Sequence, residues 1–239
     1  MSGAASDPGS GHGTPLDELG VIASQDVLVT PTLRHVELYT FRGLLTLLWH
    51  EPAGPPVSED GPAVVLCGGA MGGLLGPANG LYHRLGEELS QRGVPTIRLS
   101  YRRPNDLDAC TLDAAAAVQF LVGVGASRVV VMGHSFGGAV AVRAAVALPA
   151  FVSGVVTFAT QSAGCEVAAG LQGRPFLLFH GERDDILPPE ASEMVRTIAG
   201  CGEVVRLPGD GHLLAKSDHA IWERLESFLP PLLSTALGD

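Results

Sequence analysis

The chain has 239 residues, 46% of them hydrophobic and 17% charged, which is enough apolar material for one α/β domain with a substantial core. Its 15 basic against 25 acidic residues give a formal net charge of −10, which argues against nucleic acid as a partner and disfavours anionic membranes. Aromatic residues make up only 5%, so aliphatic side chains must dominate the packing.

Residues 1–20, rich in Gly, Ser, Pro and Asp, read as a flexible tail, and residues 21–239 as a single domain. The start has no basic segment leading into an apolar run, so no signal peptide is expected. No apolar run approaches the ~18 residues of a membrane span. Cys67, Cys110, Cys165 and Cys201 are widely spread without a C-x-x-C pair, the pattern of reduced thiols in a cytoplasmic protein.

Val36-Glu37-Leu38-Tyr39 and the run from Leu44 to Trp49, separated by Phe41-Arg42-Gly43, predict an antiparallel hairpin. Residues 52–62 form a loop. Strands and helices then alternate. A strand over Ala63–Leu66 ends in the glycine-rich turn Cys67–Gly73, and a helix follows from Ala78 to Gln91. Next come a strand over Pro95–Arg102 and a helix over Asp108–Leu121, whose start is marked by Asp106 or Asp108. Val129-Val130-Val131-Met132, four consecutive apolar residues, predict a strand buried on both faces, followed by a helix from Ala139 to Leu148. Strands over Gly154–Ala159 and Phe176–Phe179, a helix over Pro189–Ala199, a strand over Glu203–Leu207 and a helix over Ser217–Phe228 complete the chain. This order predicts an α/β fold: a mostly parallel sheet with an N-terminal antiparallel hairpin and helices on both faces. The short stretch between Thr160 and Phe176 leaves no room for a lid domain, so an open site is expected.

Between the four-residue apolar strand and its helix lies Gly133-His134-Ser135-Phe136-Gly137, a G-x-S-x-G sequence. So sharp a strand-to-helix turn strains its apex and excludes a Cβ at the flanking positions, and it lifts the Ser135 hydroxyl clear of the sheet at a helix N-terminus. A serine hydroxyl needs a base, and the base needs an orienting carboxylate. Open α/β sheets bind ligands at the carboxyl ends of their strands. Two further strand ends carry suitable residues: His180-Gly181-Glu182-Arg183-Asp184-Asp185-Ile186-Leu187-Pro188 after one, and Gly209-Asp210-Gly211-His212 after the last.

With these three motifs in this order, the chain resembles the α/β-hydrolase superfamily over roughly residues 33 to 230. Within it, the chain looks like the small lidless bacterial hydrolases described as dienelactone-hydrolase-like. The resemblance implies Ser135 as nucleophile, His212 as general base and acid, and Asp184 as the orienting acid; Asp185, one residue away, would replace it after a small loop shift. It also implies backbone amides of Phe136 and Ala70 as the oxyanion hole. Relatives carry His-Gly where this chain has Gly68-Gly69, so Met71 or Gly69 stand as alternatives to Ala70. Asp210 is expected to shape the histidine turn, and His180 to fix the acid loop. The His134 side chain should point away from the site, and Cys67 should be a buried hydrophobe. Met71 and Gln161 are candidate pocket residues, and Met71, Leu74, Leu75 and Phe136 could line an acyl pocket or the core.

The implied activity is hydrolysis of a carboxylic ester or related acyl bond of a small to medium acyl substrate, with no cofactor and no metal. Acyl transfer, lyase chemistry or ligand binding without catalysis are the alternatives. The sequence does not address the oligomeric state.

Overall fold

A computed structural model of the protein describes residues 13–54 and 60–234. Of the expected tail, residues 1–12 lie outside the described residues, and the remainder is folded. Thr14 opens helix α1 (Pro15–Leu19): its hydroxyl accepts from the Asp17 amide, and the Asp17 carboxylate accepts from the Thr14 amide. This reciprocal cap satisfies the orphan donors of a short polar helix. Leu19 is buried, and the Leu16 amide donates to Gln119 Oε1 at 2.7 Å, which docks α1 on helix α3 (Leu107–Gly123).

Nine strands form one sheet: β1 (Val21–Thr30), β2 (Leu33–Thr40), β3 (Gly43–His50), β4 (Gly61–Cys67), β5 (Thr96–Ser100), β6 (Ala126–His134), β7 (Val152–Phe158), β8 (Phe176–Gly181) and β9 (Glu203–Leu207), in the spatial order β1-β2-β3-β5-β4-β6-β7-β8-β9. Strands β1, β2, β3 and β5 pair antiparallel, and the sheet is parallel from β5 to β9. The predicted hairpin is β2–β3. Strand β1 has no counterpart among the predicted elements, because Ser24-Gln25-Asp26 interrupt its apolar residues.

The central strands alternate between two cores. Ala63, Val65, Val129 and Val131 face α3 and α4 (Phe136–Ala147), while Val64, Leu66, Val130 and Met132 face α2 (Pro77–Gln91) and α6 (Asp218–Phe228). Both faces of β4 and β6 are therefore covered, as their unbroken apolar runs require. Helices α5 (Glu190–Ala199) and α7 (Pro230–Leu233) complete the fold. Only a short 3-10 turn, Ala168–Leu171, lies between β7 and β8, so no lid domain stands there. Among the described residues no helix is long and apolar enough to cross a membrane.

The connections from β4 run to β5 on one side and onward to β6 on the other. That reversal opens a crevice beyond the carboxyl ends of β4 and β6, the place where open α/β sheets hold their ligands.

Candidate active site

Ser135 caps α4 at that crevice with φ 57° and ψ −119°, a left-handed backbone on a residue with a side chain. Such a conformation is costly and persists only where its surroundings enforce it. Here the enforcement is the absence of side chains. A Cβ on Gly133 would overlap the Gly137 carbonyl, and a Cβ on Gly137 would overlap the Gly68 and Cys67 carbonyls. The turn, the helix start and the end of β4 thus pack backbone against backbone. The amide of Phe136, in the first turn of α4, has no intrahelical acceptor.

The histidine and acid loops meet beside this turn. His212 Nδ1 donates to Asp184 Oδ2 at 2.8 Å, and the Asp184 carboxylate is fully buried. Asp184 Oδ1 accepts from the amides of Ile186 and Leu187, both at 2.9 Å, which aims Oδ2 at the imidazole. Burial alone would push the Asp184 carboxyl up; the Leu187 amide, the His212 imidazole and the Ile186 amide outweigh it and hold the group below its ordinary value. Asp185, the one-residue alternative, is exposed and makes no such contact. No hydrogen bond joins the Ser135 hydroxyl to His212 among the described residues; catalytic bonds of this kind commonly tighten only in the substrate complex.

Two further histidines secure the arrangement. His134 donates from Nε2 to the backbone carbonyl of His212 at 3.0 Å, with the two rings 5.0 Å apart. Burial lowers its pKa to about 4, so it stays neutral and keeps that donor. His180 donates from Nε2 to the Leu187 carbonyl at 2.9 Å, with Nδ1 2.7 Å from Ser192 Oγ on α5. It lies 3.2 Å from Asp184 Oδ2 and ties the acid loop to the helix behind it. Asp210 is buried and accepts from the amides of Gly211, Lys216 and Ser217, so it shapes a longer stretch than the local turn the sequence suggests.

The glycine-rich turn after β4 lies over Ser135. Gly69 and Gly72 bridge each other with Ala70 and Met71 at the tip, and a Cβ on Gly69 would stand 3.9 Å from the Ser135 Cβ. Three side chains that sequence reasoning missed hold this turn by its carbonyls. Tyr82 donates to Cys67 O and Tyr101 to Gly68 O, both at 3.0 Å, and buried Arg98 donates to Leu74 O at 3.3 Å. Past this turn, Ala78, Asn79 and Gly80 open α2 in left-handed conformation. The Ala78 amide donates to Leu213 O at 2.8 Å and the Asn79 side chain to Ala215 O at 2.9 Å, stitching α2 to the histidine loop.

The remaining candidates separate cleanly. Met71 is 93% exposed at the rim, and Leu75 and Leu213 are also exposed. Phe136 belongs to the core, edge-on to the Tyr101 ring at 6.3 Å, and does not line a pocket. Gln161 sits on the opposite flank, where its amide donates to Ser135 O at 3.4 Å and its side chain folds back on Ala163 O. Cys67 is fully buried, and burial pushes its thiol up to about 12, which makes it inert.

The site thus brings together a strained serine between interlocked glycines and a buried histidine–aspartate pair on the following strand ends. The fold is that of the α/β-hydrolases. Residues 110–228 match the family described as Phospholipase/Carboxylesterase, a span that contains Ser135, Asp184 and His212. Among solved structures, the chain is similar to Est1E from Butyrivibrio proteoclasticus (16% identity, 84% of this chain and 99% of that one, TM-score 0.70). It is similar to dienelactone hydrolase from Anabaena variabilis (18% identity, 88% and 99%, TM-score 0.69). It also resembles XC6422 from Xanthomonas campestris, an α/β serine hydrolase without a lid (19% identity, 88% and 99%, TM-score 0.63). No curated protein matches the sequence. The family match and these neighbours together support a hydrolase.

Proposed function

We propose that the protein is a serine hydrolase that cleaves a carboxylic ester or related acyl bond through an acyl-enzyme on Ser135. The observation that carries this reading is the His212–Asp184 pair placed beside a serine whose backbone is locked in the left-handed region. In this reading His212 takes the Ser135 proton as the hydroxyl oxygen attacks the substrate carbonyl. Asp184 fixes the imidazole in the Nδ1–H tautomer and stabilises its cationic form. The amides of Phe136 and Ala70 receive the tetrahedral oxyanion. His212 then returns the proton to the departing alcohol, and a water activated by the same imidazole releases the acid. Every proton moves between groups of this chain and the two substrates, ester and water, so the reaction as written calls for no cofactor.

The mouth supports a neutral acyl group of small to medium size. Gln161, Leu187, Pro188, Ala191 and Met194 line a cavity of about 310 Å³ on one flank, with Glu190 as its charged member, and Met71 and Leu213 rim the other. The match to a Phospholipase/Carboxylesterase family favours the same chemistry.

A fluorophosphonate probe tests the nucleophile, and p-nitrophenyl esters of graded chain length test the substrate class. The wild-type protein is expected to be labelled and to turn over short and medium esters, and Ser135→Ala to do neither. Unlabelled wild type, or equal labelling of Ser135→Ala, would overturn the assignment.

A further inference from the structure

Strand β1 forms one edge of the sheet: it pairs with β2 on one side and with no other described strand on the other, and all ten of its residues are exposed. Proteins ordinarily blunt so long an edge with Lys, Pro, bulges or a covering element, and β1 has register irregularities only near its two ends. β1 contains no Lys, Arg or Pro, and its one charge, Asp26, is already paired with Arg34. Ile22, Val27, Leu28 and Val29 are each more than half exposed.

The order of these residues is symmetric about Gln25. Reading outward in both directions, Ser24 mirrors Asp26, Ala23 mirrors Val27, Ile22 mirrors Leu28 and Val21 mirrors Val29. A two-fold axis through an antiparallel strand pair sets one residue opposite its own copy and its neighbours opposite their mirror positions. With the axis at Gln25, apolar residues face apolar residues and Ser24 faces Asp26. An axis at Asp26 would set two carboxylates face to face, and one at Ser24 would set Ile22 against Asp26. Irregularities in the β1–β2 register fall near the ends, between Val21 and Ala23 and between Leu28 and Thr30, and leave the centre regular. Strands β2, β3, β5 and β4 separate this edge from β6, so pairing here leaves the Ser135 crevice open.

We propose that β1 is a homodimerisation edge on which a second copy of this chain adds its own β1, antiparallel and centred on Gln25, to fuse the two sheets into one. The partner is specified by self-complementarity: the strand that best fits this sequence of side chains is the same strand reversed.

Sedimentation across low to high micromolar concentration is expected to show the mass doubling in the wild-type protein. Ile22→Lys/Leu28→Lys, which sets lysine opposite lysine, should hold the mass at one copy, and Ile22→Lys/Leu28→Glu should restore the doubled mass. Both pairs alter exposed side chains only, and circular dichroism reports that the fold is kept. The register is tested by mild oxidation in a Cys201→Ser background. Gln25→Cys lies on the axis and should give a disulfide-linked dimer, whereas the two copies of Asp26→Cys lie offset along the strands, beyond disulfide reach. A wild-type mass that stays at one copy throughout, a dimer indifferent to the two lysines, or cross-linking at position 26 in place of 25 would each overturn the proposal.

Discussion

Strands β6 and β1 are both valine-rich, yet they occupy opposite extremes of burial. In β6, Val129, Val130, Val131 and Met132 are fully buried, with β4 and β7 on its two edges and helices over both faces. In β1, Val27, Leu28 and Val29 stand in solvent on a strand with one paired edge. Residue type does not separate them; chain connectivity does. β6 turns straight into a helix that folds back over the sheet, so its unbroken apolar run finds cover on both sides. β1 returns through a tight turn to β2, with Ser24-Gln25-Asp26 where a covered strand would be apolar. The central strand supplies stability and aims Ser135, while the edge strand has its apolar surface left over.

Four substitutions sharpen this contrast. The largest effect is expected from Gly133→Ala at the end of β6. The added methyl meets the Gly137 carbonyl, which no rotamer change can relieve, so chemical denaturation should show a loss above about 4 kcal/mol, together with loss of fluorophosphonate labelling. Met132→Ala, one residue earlier, leaves a cavity between the sheet and its helices and should lower the denaturation free energy by about 2–5 kcal/mol.

The third effect is seen only as a function of pH. Burial holds His134 neutral, with its pKa near 4 against the usual 6.5, so the unfolded chain binds a proton between those values that the folded chain does not. Stability is therefore expected to fall as pH drops from about 6.5 toward 4, by up to about 3 kcal/mol from this group, and to level off below. His50, buried on β3 beside Arg98 and likewise pushed to about 4, adds a similar slope. Denaturation midpoints across this range should fall less steeply for His134→Gln, whose amide can still donate to His212 O, by one proton's worth of slope. Equal slopes in the two proteins would show that His134 charges without cost. The smallest effect belongs to Val27→Ala on β1, expected within about 0.5 kcal/mol at concentrations where the chain is monomeric. If it matched Met132→Ala, the distinction between the two strands would fail.

The parts of the fold legible in the sequence are those dictated locally. The elbow could be read because glycines, serine and a buried strand stand consecutively, and the parallel sheet because apolar runs alternate with helices. Asp184 and Asp185 could not be separated, because adjacent residues in a loop differ only by which way the backbone turns. The Ile186 and Leu187 amides settle that turn by gripping Asp184 Oδ1. Tyr82 and Tyr101 escaped notice because the carbonyls they hold are 15 and 33 residues away in the chain. Phe136 reads equally as pocket or core in sequence, and its packing against the Tyr101 ring places it in the core. Helix α1 was hidden by a composition typical of unstructured segments; two short-range capping bonds and one contact to Gln119 outweigh it.

The left-handed opening of α2 acts as a hasp. Ala78 and Asn79 grip the backbone beyond His212, which ties the turn over Ser135 to the loop carrying His212. The placing of His212 beside Ser135 is thus held by bonds to the main chain of the histidine loop. The side chains of Met71, Leu75 and Leu213 at the rim take no part in that fastening, so this fold can exchange them to change what it admits while the gauge between Ser135 and His212 stays fixed.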